Sequence, residues 1–117
     1  MMRPGTVSLE RAALLLDCPY RFAVRMARRG LLHVTDGAVD VSSLMRLKSH
    51  VVFSHLGTPM SEGELCRLFN ARDVPIRTLA GSDGDVMRIA GCDYMRPWAV
   101  LDAAWDACDG HEETGIR

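Results

Sequence analysis

Four arginines stand where a single helical surface would gather them. Arg21, Arg25 and Arg28 are spaced i, i+4 and i+7, Arg29 follows directly, and Tyr20 opens the same stretch. At 3.6 residues per turn the first three share a face. An arginine presents a planar fork of five donors whose charge does not titrate near neutral pH. It therefore grips phosphate oxygens, or the O6 and N7 edge of guanine, through paired hydrogen bonds. Tyr20 adds a hydroxyl that can donate to a phosphate. The chemistry implied is anion recognition, and two readings stand at this point: a solvated arginine face without a partner, or a surface for nucleic acid.

Other constellations offer less. Of His33, His50, His55 and His111, His50 and His55 are five residues apart, which is not the i, i+4 spacing of two ligands on one helical face, and neither of those two has a cysteine or carboxylate at useful spacing. No GxGxxG, GxxxxGK[ST] or GxSxG motif and no nucleophile-base pair is present, so neither an enzyme, a cofactor nor a metal site is expected. The seven methionines are spread along the chain and read as core filler. Cys18, Cys66, Cys92 and Cys108 form no CxxC pair and read as small buried hydrophobes in a reducing, cytoplasmic compartment. The longest apolar run, Ala12 to Leu16, falls far short of the roughly twenty residues of a membrane span, and Glu10 with Arg11 interrupts any signal-peptide core.

The elements that must carry the arginines can be read from periodicity. Ser8 can cap a helix burying Leu9, Ala12, Ala13 and Leu16, which Asp17-Cys18-Pro19 then breaks. A second helix, Pro19 to Arg29, buries Ala23, Met26 and Ala27, and Gly30 ends it in a left-handed turn. Leu31 to Val34 and Ala38 to Val41 flank the turn Thr35-Asp36-Gly37 as a small hairpin. Asp40 or Ser42 caps a third helix carrying Leu44, Leu47 and Val51.

Charge divides the chain. Residues 1–55 hold eight basic and four acidic side chains, and residues 56–117 hold six arginines and eleven acids, so halves of +4 and -5 lie behind a net charge of -1. The basic half is the better candidate for an anionic partner.

Val7 to Leu16, Ala23 to Gly30-Leu31, and Val39-Asp40-Val41-Ser42-Ser43-Leu44 together resemble the excisionase and MerR-like DNA-binding domains, over about residues 7–52. The resemblance implies a winged helix-turn-helix whose second helix enters the major groove. Tyr20, Arg21, Arg25, Arg28 and Arg29 would be its DNA-binding residues. Two features depart from the family. The wing Thr35-Asp36-Gly37 has no arginine and puts an acid where phosphate would lie, and Phe22 and Val24 are apolar where the family is polar. Those two either pack on a neighbouring element or form a protein interface.

After Phe53 to Pro59, read as a linker, Ser61-Glu62-Gly63-Glu64 spells a capping box with Met60 and Leu65 as its hydrophobic staple. Leu65, Leu68 and Phe69 follow as a buried face, and Arg72 to Ala80 as a second helix burying Ile76, Leu79 and Ala80. A hairpin, Val86 to Ile89 and Cys92 to Tyr94, surrounds Ala90-Gly91. An offset of 53 residues maps Ser8 onto Ser61, Leu15 onto Leu68 and Val39-Asp40-Val41 onto Cys92-Asp93-Tyr94, which marks a structural repeat. It turns Arg21, Arg25 and Arg28 into Val74, Thr78 and Gly81, leaving Arg88 and Arg96 as candidate DNA-backbone contacts. Trp98, Leu101, Trp105 and Cys108 form a seam on a closing helix, Pro97 to Cys108, that either packs internally or makes a dimer contact, and Asp109 to Arg117 reads as frayed.

The expectation is a mostly α protein with small β-hairpins, two winged helix-turn-helix-like units in tandem. Residues 1–55 would be basic and DNA-binding. Residues 56–117 would be a degenerate, acidic unit for dimerisation or partner binding. By resemblance the role is a sequence-specific duplex-DNA-binding transcriptional regulator or a recombination directionality factor of a phage or mobile element. The alternative is a protein-interaction module, an adaptor or inhibitor, docking through Phe22, Val24, Trp98, Leu101 and Trp105 on a scaffold that has lost DNA binding.

Overall fold

The computed structural model describes residues 5–80 and 86–116. The chain divides into two units, Met1–Gly57 and Thr58–Arg117, and the described residues are mostly helical with two small antiparallel sheets.

The first unit runs β1 (Thr6–Ser8), α1 (Leu9–Leu16), α2 (Tyr20–Arg28), β2 (Val34–Thr35), β3 (Ala38–Asp40), α3 (Val41–Lys48) and a single turn, α4 (Val51–Ser54). Ser8 caps α1 by accepting the Arg11 N–H at 3.1 Å. At the other end Asp17 takes a left-handed φ of 59°, and the Cys18 N–H reaches back to the Ala13 carbonyl at 3.1 Å. That closure satisfies carbonyls the helix would otherwise leave unpaired. Pro19 then occupies the cap position of α2, its carbonyl accepting the Phe22 and Ala23 N–H groups. Gly30, at φ 80°, closes α2 in the same manner, with the Leu31 N–H on the Met26 carbonyl at 2.9 Å. Ala12, Ala13, Leu16, Phe22, Ala23 and Met26 are buried by the two helices, with Leu32, Val39, Leu44 and Leu47 from the remaining elements.

The sheet order is β1-β3-β2, with Val39 opposite both Val7 and Val34. Thr35 pairs with Ala38, so the turn is the two residues Asp36-Gly37 and not three. Both have positive φ, 54° and 77°, the type I′ geometry whose twist matches the strands and which an Asp-Gly pair adopts readily. Asp40 sits at the cap position of α3, but its carboxylate accepts the Ser42 hydroxyl instead of a backbone N–H. The third helix is also shorter than its periodicity suggests. It stops at Lys48, His50 is extended, and Val51, expected in the core, is 58% exposed on α4. The division between the units falls within the expected linker, after Gly57, and the residues before it belong to the first unit: Leu56 is fully buried, and a Cβ built on Gly57 would strike the carboxylate and backbone carbonyl of Asp17.

The second unit runs β4 (Met60–Ser61), α5 (Glu62–Phe69), α6 (Ile76–Ala80), β5 (Val86–Ile89), β6 (Cys92–Met95) and α7 (Pro97–Ile116), with sheet order β4-β6-β5. Its topology is that of the first. Through the first helix of each unit the 53-residue offset holds in detail: Ser8 and Ser61 cap, Ala12 and Leu65 are buried, and Asp17 and Asn70 are left-handed. The hairpin departs from it. Val7 faces Val39 and Met60 faces Met95, so Val39 corresponds to Met95 and not to Cys92. Each arm of the second hairpin is longer, and β5 and β6 make four cross-strand pairs where β2 and β3 make two.

Three other expectations change. The helix read from Arg72 begins only at Ile76, because a residue preceding proline is kept out of the α region and Val74 precedes Pro75. Of the predicted buried face of α5 only Leu65 is fully buried, with Leu68 and Phe69 half-buried. Helix α7 continues to Ile116, past the expected frayed end, and buries the consecutive residues Trp98, Ala99 and Val100 where a one-sided seam was expected. Cys108 of that seam is exposed.

Two stability effects arise here. The Ser61-Glu64 capping box is complete, with the Ser61 N–H on Glu64 Oε1 at 3.0 Å and the Glu64 N–H on Ser61 Oγ at 3.4 Å. Ser61→Ala should cost about 1 kcal/mol in urea unfolding, and Ser61→Asp should restore most of it. The bonds from Ser61 hold the Glu64 carboxyl below the usual carboxylate range. Its contribution is therefore present above the ordinary glutamate pKa and is lost as pH falls through the depressed value. In the second hairpin the first turn position is Ala90 at φ 52°, a conformation alanine disfavours. Ala90→Asn should raise stability by on the order of 1 kcal/mol, read as a higher melting temperature.

Candidate nucleic-acid interface

Helix α2 has two faces. Phe22, Ala23 and Met26 are fully buried, whereas Tyr20, Arg21 and Arg28 are exposed and Arg25 is half-buried. At about 100° per residue, Arg21, Arg25 and Arg28 lie within about 60° of one another and roughly opposite the buried arc. Arg29 is exposed at the C-cap, and Tyr20, 52% exposed, is the first helical residue. The first turn holds no acid and no side chain caps it, so the positive end of the helix dipole is not offset there.

The β2-β3 hairpin is tied to the start of α3. The His33 N–H donates to Ser43 Oγ at 3.1 Å, Ser43 Oγ donates to the Asp40 carbonyl at 2.8 Å, and the Asp40 N–H donates to the His33 carbonyl at 2.9 Å. Ser43 was not singled out from the sequence, and its adjacency to the cap position was the only signal. Arg46 and Lys48, exposed in the last turn of α3, are further cations that entered only the charge count. Asp36 is exposed at the hairpin tip, as its turn position requires.

The candidate interface residues are largely interior. Phe22 is 0% exposed and Trp98 6%, so both are core residues and cannot dock a partner as they stand. Val24, Leu101 and Trp105 are half-buried. The reason is the same for Phe22 and Trp98: each lies in the first turn of a helix that packs on a neighbouring helix of its own unit, α2 on α1 and α7 on α6. The cysteines differ from expectation in the other direction, since Cys18 and Cys66 are half-buried and Cys92 and Cys108 exposed. Burial, with the Asp17 charge beside it, pushes the Cys18 thiol up to about 12. Of the methionines, Met26 and Met95 are core residues, while Met45 is 61% exposed.

In the second unit, Val74 is buried, Thr78 is exposed, and Gly81 lies outside the described residues. Arg88 is exposed and faces Asp93 across the hairpin, with its Nη1 3.6 Å from Asp93 Oδ1. Asp93 Oδ2 accepts Arg77 Nε–H at 2.7 Å. The Arg77 guanidinium, with Arg88 nearby, holds the Asp93 carboxyl below its usual range. Arg96 is half-buried before α7, its carbonyl accepting the Ala99 and Val100 N–H groups. No helix among the described residues is long and apolar enough to cross a membrane.

No family model, no curated protein and no solved structure matches the chain.

Proposed function

We propose that the first unit is a winged helix-turn-helix module that binds duplex DNA, with α2 as the helix that enters the major groove. The observation that carries this is the arginine face of α2, set on the second helix of a helix-turn-helix pair whose other face is core. The order of α1, α2, hairpin and α3 supports the same reading. Arg21, Arg25, Arg28 and Arg29 contact phosphates or base edges, and Tyr20 a phosphate. The acidic hairpin tip contributes little, so affinity per chain is modest and gains from a second contact. The second unit positions the first, dimerises, or recruits a protein. The role is that of a regulator of transcription or of recombination. The rival interaction-module reading has less support, since Phe22 and Trp98 among its docking residues are interior.

A fluorescent random-sequence duplex titrated at rising salt tests the proposal. Binding that weakens steeply with salt is the expected result, because arginine-phosphate contacts release counterions. Absence of binding at low salt, or binding indifferent to salt, would remove it.

A further inference from the structure

The second unit repeats the helix pair and hairpin of the first, yet the extra length of its hairpin is put to a particular use. Asp93 and Arg88 form one of the two cross-strand pairs that the first hairpin lacks. From there the Asp93 carboxylate takes Arg77 of α6 on one oxygen and Arg88 on the other. Helix α6 and the β5-β6 hairpin are the counterparts of α2 and the β2-β3 hairpin. The two arginines that this unit carries on those elements therefore share one carboxylate. Around them the field is acidic. Asp73 beside it, burial, and the charge of Asp93 raise the Glu62 carboxyl above its ordinary range. A phosphate approaching Arg77 and Arg88 meets little net positive charge.

We propose that Asp93 keeps the second unit off nucleic acid, drawing Arg77 and Arg88 into an internal ion cluster so that duplex binding is confined to the arginine face of the first unit. This rests on the duplex-binding reading of α2. The side chains of Arg77 and Arg88 are 68% and 60% exposed, so it is their charge that is occupied, not their access. Removing the carboxylate charge while keeping an acceptor for Arg77 releases the charge of both arginines and leaves the hydrogen bond in place.

The test uses the full chain. Asp93→Asn is placed in the wild type and in a background with Arg21, Arg25 and Arg28 changed to alanine, and each protein is titrated with a random-sequence duplex over a salt series. Asp93→Asn is expected to steepen the log affinity against log salt slope by about one to two units relative to its parent. Adding Arg77→Gln and Arg88→Gln is expected to abolish the gain. A thermal melt confirms that each variant is folded, and Asp93→Ser replaces Asp93→Asn should the amide disturb folding. A folded variant that binds with the slope of its parent overturns the proposal, as does a gain that survives loss of both arginines. Failure of the α2 reading is seen separately, as equal binding by the wild type and the triple-alanine parent.

Discussion

Changing Arg21, Arg25 and Arg28 together to alanine is expected to remove most of the affinity for duplex DNA. If all three hold phosphates, the salt slope should flatten by about three units, since each neutralised phosphate contributes roughly 0.9. If one reads a base, its loss alone should cost about 1 to 3 kcal/mol and relax specificity at that position. Arg25 is the residue at which to separate the two. It lies at the centre of the stripe and is half-buried, so its stem is held and its fork has a restricted reach. Arg25→Lys keeps the charge and loses the planar fork. A phosphate contact should survive that change with little loss, whereas a bidentate guanine contact should not. Salt dependence and affinity equal to wild type in the triple variant would exclude α2 as the binding element.

How much of this was legible in the sequence follows from the range of the interactions. The arginine stripe, the Ser61-Glu64 box, the break at Asp17 and the left-handed end at Gly30 depend on residues within about two turns of each other, and spacing and residue type locate them. The 53-residue offset fails at the hairpins because their arms differ in length, and pairing with β1 or β4 determines which residue matches which. The start of α6 is set by Pro75, which keeps Val74 out of the helix, and the apolar period does not show it. The Arg77-Asp93-Arg88 cluster joins a helix to two strands and has no local signature. Phe22 is ambiguous for a different reason: an aromatic beside an arginine stripe fits a core or a docking surface equally well until the packing of α2 on α1 is known.

That ambiguity leads to the largest expected effect on stability. Phe22 is 0% exposed, and Phe22→Ala should cost about 3 to 5 kcal/mol, the lost transfer energy plus that of the cavity left behind. At about 0.05 to 0.15 kcal/mol per residue, a unit of this size holds only some 3 to 9 kcal/mol in all. The substitution should therefore unfold a large fraction of the first unit near body temperature, seen as lost amide protection across α1, α2 and β3. Leu14→Ala, at a position 79% exposed, should change the melt by less than about 0.5 kcal/mol. Were Phe22 a docking residue, its loss would leave the melt unchanged and weaken only a partner's binding. Arg21 and Phe22 are consecutive, about 100° apart around α2, so one faces solvent and the next the core. Arg21→Ala should thus reduce DNA binding in a folded protein, and Phe22→Ala should reduce it by removing the fold that presents the arginine.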